Sequence, residues 1–214
     1  MAKFTHDAPQ QIVHLRITLD DVRPKVMRHV AVPFGIHLHM LHLVIQAAMG
    51  WSGSHRWLIE ARDMTWGMPG PDDTNILPAS RTVLIDLVAD TGARSFDYIY
   101  DLGDDWRHTV KIETPTPSAP GVDYPLLLEA TGRCPPEDCG GPWGYRDMLD
   151  ALRDSKHQSH AEVVERLGSE FDPAAIDSVS LEKAVGSLAR LLSGKKSRKS
   201  QPRKRTRGGD PNLF

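Results

Sequence analysis

The segment IVHLRITLDDVRPKVMRHVAVP, residues 12–33, decides the fold class. From Val13 to Leu19, apolar side chains alternate with polar ones, which is the period of a strand with one buried face. Turn-forming residues follow, and residues 26–32 then make a second, β-branched run that Pro33 ends. The segment therefore predicts an antiparallel hairpin.

Beyond this hairpin, strand patterns come before most of the helical ones. Apolar residues at helical spacing predict a helix over residues 36–49 that ends at Gly50. Further strands are predicted at residues 55–60, 96–100 and 106–112. Residues 82–88 fit a helix or a strand, and residues 67–78 are expected to be a loop. Three amphipathic helices are predicted near residues 145–152, 160–167 and 181–192.

These patterns favour an α+β fold, because strands and helices do not alternate as βαβ units. We expect a largely antiparallel sheet of about five strands with helices packed on it, then a helical C-terminal part and a disordered basic tail. The domain boundaries follow from the patterns: an N-terminal extension at residues 1–11, one domain at 12–193, and the tail at 194–214.

Composition restricts the class of protein. A chain of 214 residues can bury one core, and no apolar run approaches the roughly 18 to 20 residues that cross a bilayer. Two cysteines cannot form a disulfide framework in a chain of this size, so a reducing compartment is the simpler assumption. We expect a cytoplasmic protein with no membrane partner.

The net charge of −2 conceals an asymmetry between the body and the tail. Residues 1–193 carry 18 basic and 27 acidic side chains, a formal charge of −9, whereas residues 194–214 carry eight basic side chains and one acidic. The basic ones are Lys195, Lys196, Arg198, Lys199, Arg203, Lys204, Arg205 and Arg207. Such a tail is expected to bind nucleic acid weakly through phosphates, without sequence preference, or only to keep the protein in solution.

One candidate site is the acidic connection of the second predicted hairpin, YDLGDDWRH at residues 100–108. Its candidate binding residues are Asp101, Gly103, Asp104, Trp106 and His108. His108 shares the parity of Trp106, so its imidazole is expected to point towards the apolar face, where it could be a ligand. The alternative is a core histidine beside turn-forming aspartates.

The other candidate is the loop RCPPEDCGGPWGY at residues 133–145. Prolines stiffen it and glycines allow positive φ, so a fixed shape is expected. Four residues separate Cys134 from Cys139, the limit for a paired zinc ligand, and no second cysteine pair exists. A zinc site would therefore borrow His108, with Asp101 or Glu137 completing it. No cofactor is certain, zinc is the candidate, and two buried structural thiols are the alternative.

The chain resembles the plasmid pRiA4b ORF-3-like family from about Ile12 to about Val185. The resemblance is carried by residues 17–19 with Arg23-Pro24, residues 41–51, residues 100–108 and residues 134–145. It implies an insertion-element or plasmid passenger, some relatives bearing a TnpR-like resolvase label. It also implies one binding surface, formed by His55, Asp101, Gly103, Asp104, Trp106, His108, Glu137, Asp138, Gly140, Gly141 and Tyr145. Where the family often has two histidines after Trp51, only His55 is present.

Common catalytic signatures are absent: there is no phosphate-binding GxxxxGK[ST], dinucleotide GxGxxG, HExxH or GxSxG. The first hypothesis is a non-catalytic binding or accessory protein, associated with mobile elements and with another protein as partner. The alternatives are a metal-dependent hydrolytic enzyme using His108, Asp101, Asp104 and the cysteines, and DNA binding through the tail. A recombinase is not expected, because no Ser or Tyr nucleophile has the arginines that strand exchange needs. We also expect the two motifs to meet, with His108 within reach of the thiols.

Overall fold

The hairpin predicted first forms two interior strands of the sheet, next to one of its edges. In this computed structural model, which describes residues 10–194, Gln11–Leu19 (β1) pairs antiparallel with Val26–Pro33 (β2). The alternating residues Val13, Leu15 and Ile17 are completely buried. Their burial is what a period of two requires of a strand with one apolar face.

Residues 10–194 contain nine strands, which form one mixed sheet, and five helices. The remaining strands are Trp57–Ala61 (β3), Met64–Gly67 (β4), Ile76–Pro78 (β5), Ser95–Tyr100 (β6), Trp106–Ile112 (β7), Thr116–Pro117 (β8) and Leu126–Thr131 (β9). The helices are Leu38–Met49 (α1), Leu84–Thr91 (α2), Gly141–Arg153 (α3), His160–Leu167 (α4) and Ser178–Leu192 (α5).

The strands lie in the order β5-β4-β3-β6-β7-β1-β2-β9, and β8 pairs with β1. Every pair is antiparallel except β4 with β5. The α+β class is therefore confirmed, and the estimate of about five strands is too low.

The strands that the sequence did not reveal are short or lie at an edge. β4 has four residues and ends where the expected loop begins, β5 has three residues inside that stretch, and β8 has two. β9 reads Leu-Leu-Leu-Glu-Ala-Thr, and its residues are half-buried or exposed without alternation. A period of two needs a longer segment and one buried face, so none of these four strands could show it.

The helices agree with the predicted ones to within a few residues. Helix α1 ends at Gly50, whose φ of 87° is the left-handed conformation that favours glycine. The ambiguous segment at 82–88 becomes the start of α2, and α3 begins at Gly141 rather than at Tyr145. Among residues 10–194, no helix is both long and apolar enough to span a bilayer. Most of the predicted N-terminal extension, and the whole basic tail after Gly194, lie outside the described residues.

A buried guanidinium joins three segments at the β2 end of the sheet. Arg28 is 1% exposed, and its guanidinium donates to the carbonyl oxygens of Ala48 (2.6 Å), Thr131 (2.8 Å), Gly132 (3.1 Å) and Met27 (2.8 Å). These oxygens belong to the end of α1, the end of β9 and β2 itself. Because all four acceptors are backbone atoms, only a side chain with several donors in a fixed plane can serve them together.

We expect Arg28→Met to lower the free energy of unfolding by about 4 kcal/mol, because it leaves several carbonyls without a donor. Arg28→Lys should recover only part of this loss, since one ammonium group cannot reach all the acceptors. Urea unfolding measures both values. Arg94→Met, at an exposed arginine, is the matched control and should change stability by less than about 0.5 kcal/mol. Equal effects at both positions would contradict this role for Arg28.

Candidate functional site

The turn between β6 and β7 is held by its own aspartates. Asp101 Oδ1 accepts from the backbone N–H groups of Gly103 (3.0 Å) and Asp104 (3.3 Å). The N–H of Asp105 donates to the carbonyl of Asp101 (2.7 Å), and both residues have positive φ, 56° at Asp101 and 52° at Asp105. Aspartate tolerates this conformation better than most residues. Asp101 and Asp105 are therefore structural parts of the turn as well as negative charges.

This turn is interlocked with the cysteine-containing loop. Asp104 Oδ2 accepts from the N–H of Gly140 (3.1 Å), and a Cβ added to Gly141 would lie 2.2 Å from the carbonyl oxygen of Asp104. Gly141 also has a φ of +67°, so the close approach and the backbone conformation both require glycine. The two motifs meet as expected, but through Asp104 and the glycines. We call residues 101–105 and 134–143, with His55, the hairpin–loop surface.

Residues from three other segments hold the loop. Trp51 Nε1 donates to the carbonyl of Pro135 (2.9 Å). Arg166 of α4 donates to the carbonyls of Glu137 (2.7 Å) and Asp138 (3.0 Å). A Cβ on Gly144 would lie 1.9 Å from the carbonyl oxygen of Cys139, so the first turn of α3 packs directly against the loop. Sequence reasoning missed Arg166, and nothing in its local sequence connects it to a loop almost thirty residues earlier.

Glu137 points back into the surface. Its carboxylate accepts a very short hydrogen bond from the Tyr100 hydroxyl and another from the N–H of Ser52 (3.1 Å). Burial by itself would raise the pKa of Glu137, but these hydrogen bonds outweigh it and lower the pKa below its ordinary value. Burial, together with donation to Glu137, raises the pKa of Tyr100. The pair is therefore an ionised carboxylate and a neutral phenol at neutral pH.

His55 lies between two carboxylates. Its Nδ1 is 3.5 Å from Asp101 Oδ2, and its Nε2 is 3.2 Å from Asp138 Oδ1. These residues form one of two groups of possible metal ligands within residues 10–194. The carboxylates contact opposite ring nitrogens, however, whereas a metal ion binds only one nitrogen of an imidazole. The arrangement therefore suits an imidazole held between two charges better than three ligands converging on one ion.

The structure does not bring His108 and the cysteines together as ligands. His108 is fully buried, and its Nδ1 is 3.1 Å from the carbonyls of both Tyr98 and Trp106, while its Nε2 has no hydrogen-bond partner in the described part of the chain. Burial lowers the pKa of His108 to about 4. Neither group of possible ligands found in residues 10–194 contains His108, Cys134 or Cys139. The alternation of residues along β7 correctly predicted that His108 lies on the buried face. Its Nδ1, however, faces carbonyl oxygens of β6 and β7.

The thiols have the properties of core side chains. Cys139 is buried and Cys134 is partly buried, and both are free. Burial raises the pKa of Cys139 to about 12 and raises that of Cys134 as well. A thiol that stays protonated at neutral pH is a poor nucleophile.

The remaining candidate residues divide between the core and the surface. Trp106 and Tyr145 are buried, and the indole N–H of Trp106 and the hydroxyl of Tyr145 have no hydrogen-bond partner among residues 10–194. Trp143 is 71% exposed. The guanidinium of Arg146 lies 4.2 Å from its ring centroid. An exposed indole beside an acidic turn is therefore part of this surface.

Fold and surface together define an α+β protein with one mixed sheet, in which an acidic hairpin is locked to a cysteine-containing loop. The chain belongs to the family of plasmid pRiA4b ORF-3-like proteins, which matches residues 11–180. It is 49% identical over 191 residues to "Uncharacterized protein y4hQ" of Sinorhizobium fredii, covering 88% of this chain and 98% of the relative. It also resembles the crystal structure of a protein of unknown function, MM3350, from Methanosarcina mazei Go1. That similarity has a TM-score of 0.73 and 30% identity, and covers 83% of this chain and 99% of the other. The family resemblance is thereby confirmed.

The interlock predicts a specific cost at Gly141. Gly141→Ala should lower the free energy of unfolding by about 3 kcal/mol, because the new Cβ meets the Asp104 carbonyl in a backbone conformation that alanine disfavours. Gly186→Ala, where a Cβ meets nothing within 4 Å inside α5, should instead be neutral or stabilise by up to about 1 kcal/mol. Chemical unfolding of both variants checks the pair. A Gly141→Ala protein as stable as the wild type would show that the two motifs are not locked.

Proposed function

We propose that the protein is a binding or accessory protein that recognises a cationic segment of a protein partner through the hairpin–loop surface. The observation that carries this proposal is that some polar side chains of the two motifs bind backbone groups of the surface, while others are exposed. Asp101, Asp104 and Glu137 fix the backbone of the surface, while Asp105, Asp138 and Trp143 face solvent. A fixed surface loses little conformational entropy when a partner binds.

The chemistry of the exposed groups indicates the kind of partner. Asp21, Asp104 and Asp105 line one cavity together with Trp143, Arg146 and Arg107, and Arg107 Nε donates to Asp105 Oδ2 (3.2 Å). Carboxylates attract lysine and arginine, and an indole face binds a guanidinium by a cation–π interaction. Arg146 already occupies the Trp143 ring in this way, so an arginine of a partner could stack there in its place. Membership of a plasmid-associated family supports an accessory role in mobile elements.

The metal-dependent hydrolytic alternative has weaker support. Among residues 10–194, His108 has no access to solvent and no carboxylate partner, and it forms no group of possible metal ligands with Cys134 and Cys139. Hydrolysis by a metal ion needs an open position beside converging ligands. Within the described residues, the hairpin–loop surface supplies His55 and two carboxylates that address opposite sides of the ring.

The surface is tested with an octa-arginine peptide and the full chain, by titration of tryptophan fluorescence. Trp143→Ala should weaken binding by about two- to fivefold, because it removes the cation–π contact at an exposed site. Asp105→Asn and Asp21→Asn keep residue types that tolerate positive φ and should weaken binding similarly. Asp86→Asn removes the same charge from exposed α2 and serves as the control. Loss of affinity that is equal for Asp86→Asn and Asp105→Asn, with none for Trp143→Ala, would contradict the proposal.

DNA binding by the basic tail is a second candidate function, and the charge asymmetry of the sequence favours it. Each lysine or arginine that meets a phosphate releases counterions, so affinity for duplex DNA should fall with salt at a slope of about −0.9 per contact. The comparison is between the full chain and a chain ending at Ser193, measured across a salt series. Equal affinity of the two proteins, or binding that does not depend on salt, would exclude this function for the tail.

A further inference from the structure

A second group of polar side chains lies on the central strands, apart from both motifs. His14 and Arg16 of β1 lie on the face opposite to Leu15 and Ile17. In the β1–β2 register, Arg16 is opposite His29, which makes His14 and His29 diagonal neighbours on this face. On the other side of β1, the N–H of Glu113 donates to the carbonyl of His14 (3.0 Å), so Glu113 continues from β7 beside His14.

The imidazoles of His14 and His29 both face the carboxylate of Glu113. Glu113 Oε1 is 3.3 Å from His29 Nε2, and Glu113 Oε2 is 3.8 Å from His14 Nδ1. One donor atom from each residue lies within 4.8 Å of the other two. Ligands bound to one tetrahedral zinc at about 2.0 to 2.2 Å lie about 3.3 to 3.6 Å from one another, so small side-chain rotations suffice. The group of His55, Asp101 and Asp138 meets the same distance limit, but there two carboxylates lie on opposite nitrogens of one imidazole, whereas here two imidazoles face one carboxylate.

His29 is poised to act as a ligand. Its Nε2 is buried and makes no hydrogen bond of good geometry within residues 10–194, although Glu113 is close. A buried nitrogen that lies close to a carboxylate without good hydrogen-bond geometry calls for an explanation, and an ion bound between them is one. Burial lowers the pKa of His29, which keeps its imidazole neutral at neutral pH. A neutral imidazole is the form that binds metal.

From this geometry we propose that His14, His29 and Glu113 form a zinc-binding site on the polar face of the central strands. Two histidines and one glutamate are a known protein ligand set for Zn²⁺, and three ligands leave a fourth position for water or another small ligand. Arg16 is a cation that opposes the ion: its guanidinium lies 4.0 Å from Glu113 and 3.7 Å from Glu129. Arg16 can keep the contact with Glu129 while Glu113 binds the metal, because its side chain is 41% exposed.

The test is calorimetric titration of the untagged full chain with ZnCl₂, with Co²⁺ absorption to report tetrahedral coordination. One Zn²⁺ per chain is expected. Glu113→Gln, at a half-exposed residue, should leave the circular dichroism spectrum unchanged and weaken zinc binding by at least about tenfold, as should His29→Gln. Arg16→Met should strengthen binding by about two- to fivefold, because it removes the opposing charge.

His55→Gln is the matched control, because it removes a histidine from the other group of possible ligands. It should leave zinc affinity unchanged. Binding that is lost in His55→Gln but retained in Glu113→Gln would move the ion to the hairpin–loop surface and overturn this proposal. Failure of the wild type to bind Zn²⁺ in large molar excess would overturn it too. Neither result bears on the octa-arginine titration, which tests the separate proposal for the hairpin–loop surface.

Discussion

The buried guanidinium of Arg28 is the contact on which the candidate surface depends. Among residues 10–194 no carboxylate pairs with it, and its charge is satisfied by backbone carbonyls from β2, from the end of α1 and from the end of β9. One of these acceptors is Ala48, three residues before Trp51. Arg28 therefore fixes the point at which the chain leaves α1, and residues just beyond that point hold the cysteine-containing loop: Trp51 through the carbonyl of Pro135, and Ser52 through Glu137.

The contact between the two motifs depends on glycines, because the backbone of one segment packs directly against the backbone of the other. At Gly141 and Gly144, any side chain would overlap a carbonyl oxygen of the neighbouring segment. At such distances the contact surface is backbone, which has no rotamers to lose, and the exposed carboxylates and Trp143 project from a base of fixed shape. Rigid presentation of a few polar groups and one aromatic ring is typical of a recognition surface, and it does not require a nucleophile or a buried reaction chamber.

The sequence predicted the strands whose residue pattern is sustained over many positions. Strands β1, β6 and β7 were predicted from the alternation of apolar and polar residues, and β2 from a β-branched run that Pro33 ends. The candidate surface was visible as a concentration of aspartate, glycine and proline in two segments. What the sequence could not give was the pairing between segments. Parity predicts the face on which His108 lies, but the orientation of its ring depends on carbonyls of its own and the adjacent strand. The sequence did not reveal the group of His14, His29 and Glu113 for the same reason. Its members come from separate segments and lie at polar positions, whereas the strands were recognised by their apolar positions.

The choice of a histidine at position 108 is explained by packing under the hairpin. Trp51 lies against three rings, with centroid distances of 5.1 Å to Tyr100, 5.8 Å to Trp106 and 5.4 Å to His108. His108 meets Trp51 edge to face at 88°, and its Nδ1 faces the carbonyls of Tyr98 and Trp106. Phenylalanine could fill the same space, but it has no donor for those carbonyls. A neutral imidazole supplies both a flat ring and an N–H, so packing and hydrogen bonding account for the ring and its Nδ1, while the buried Nε2 makes no hydrogen bond among residues 10–194.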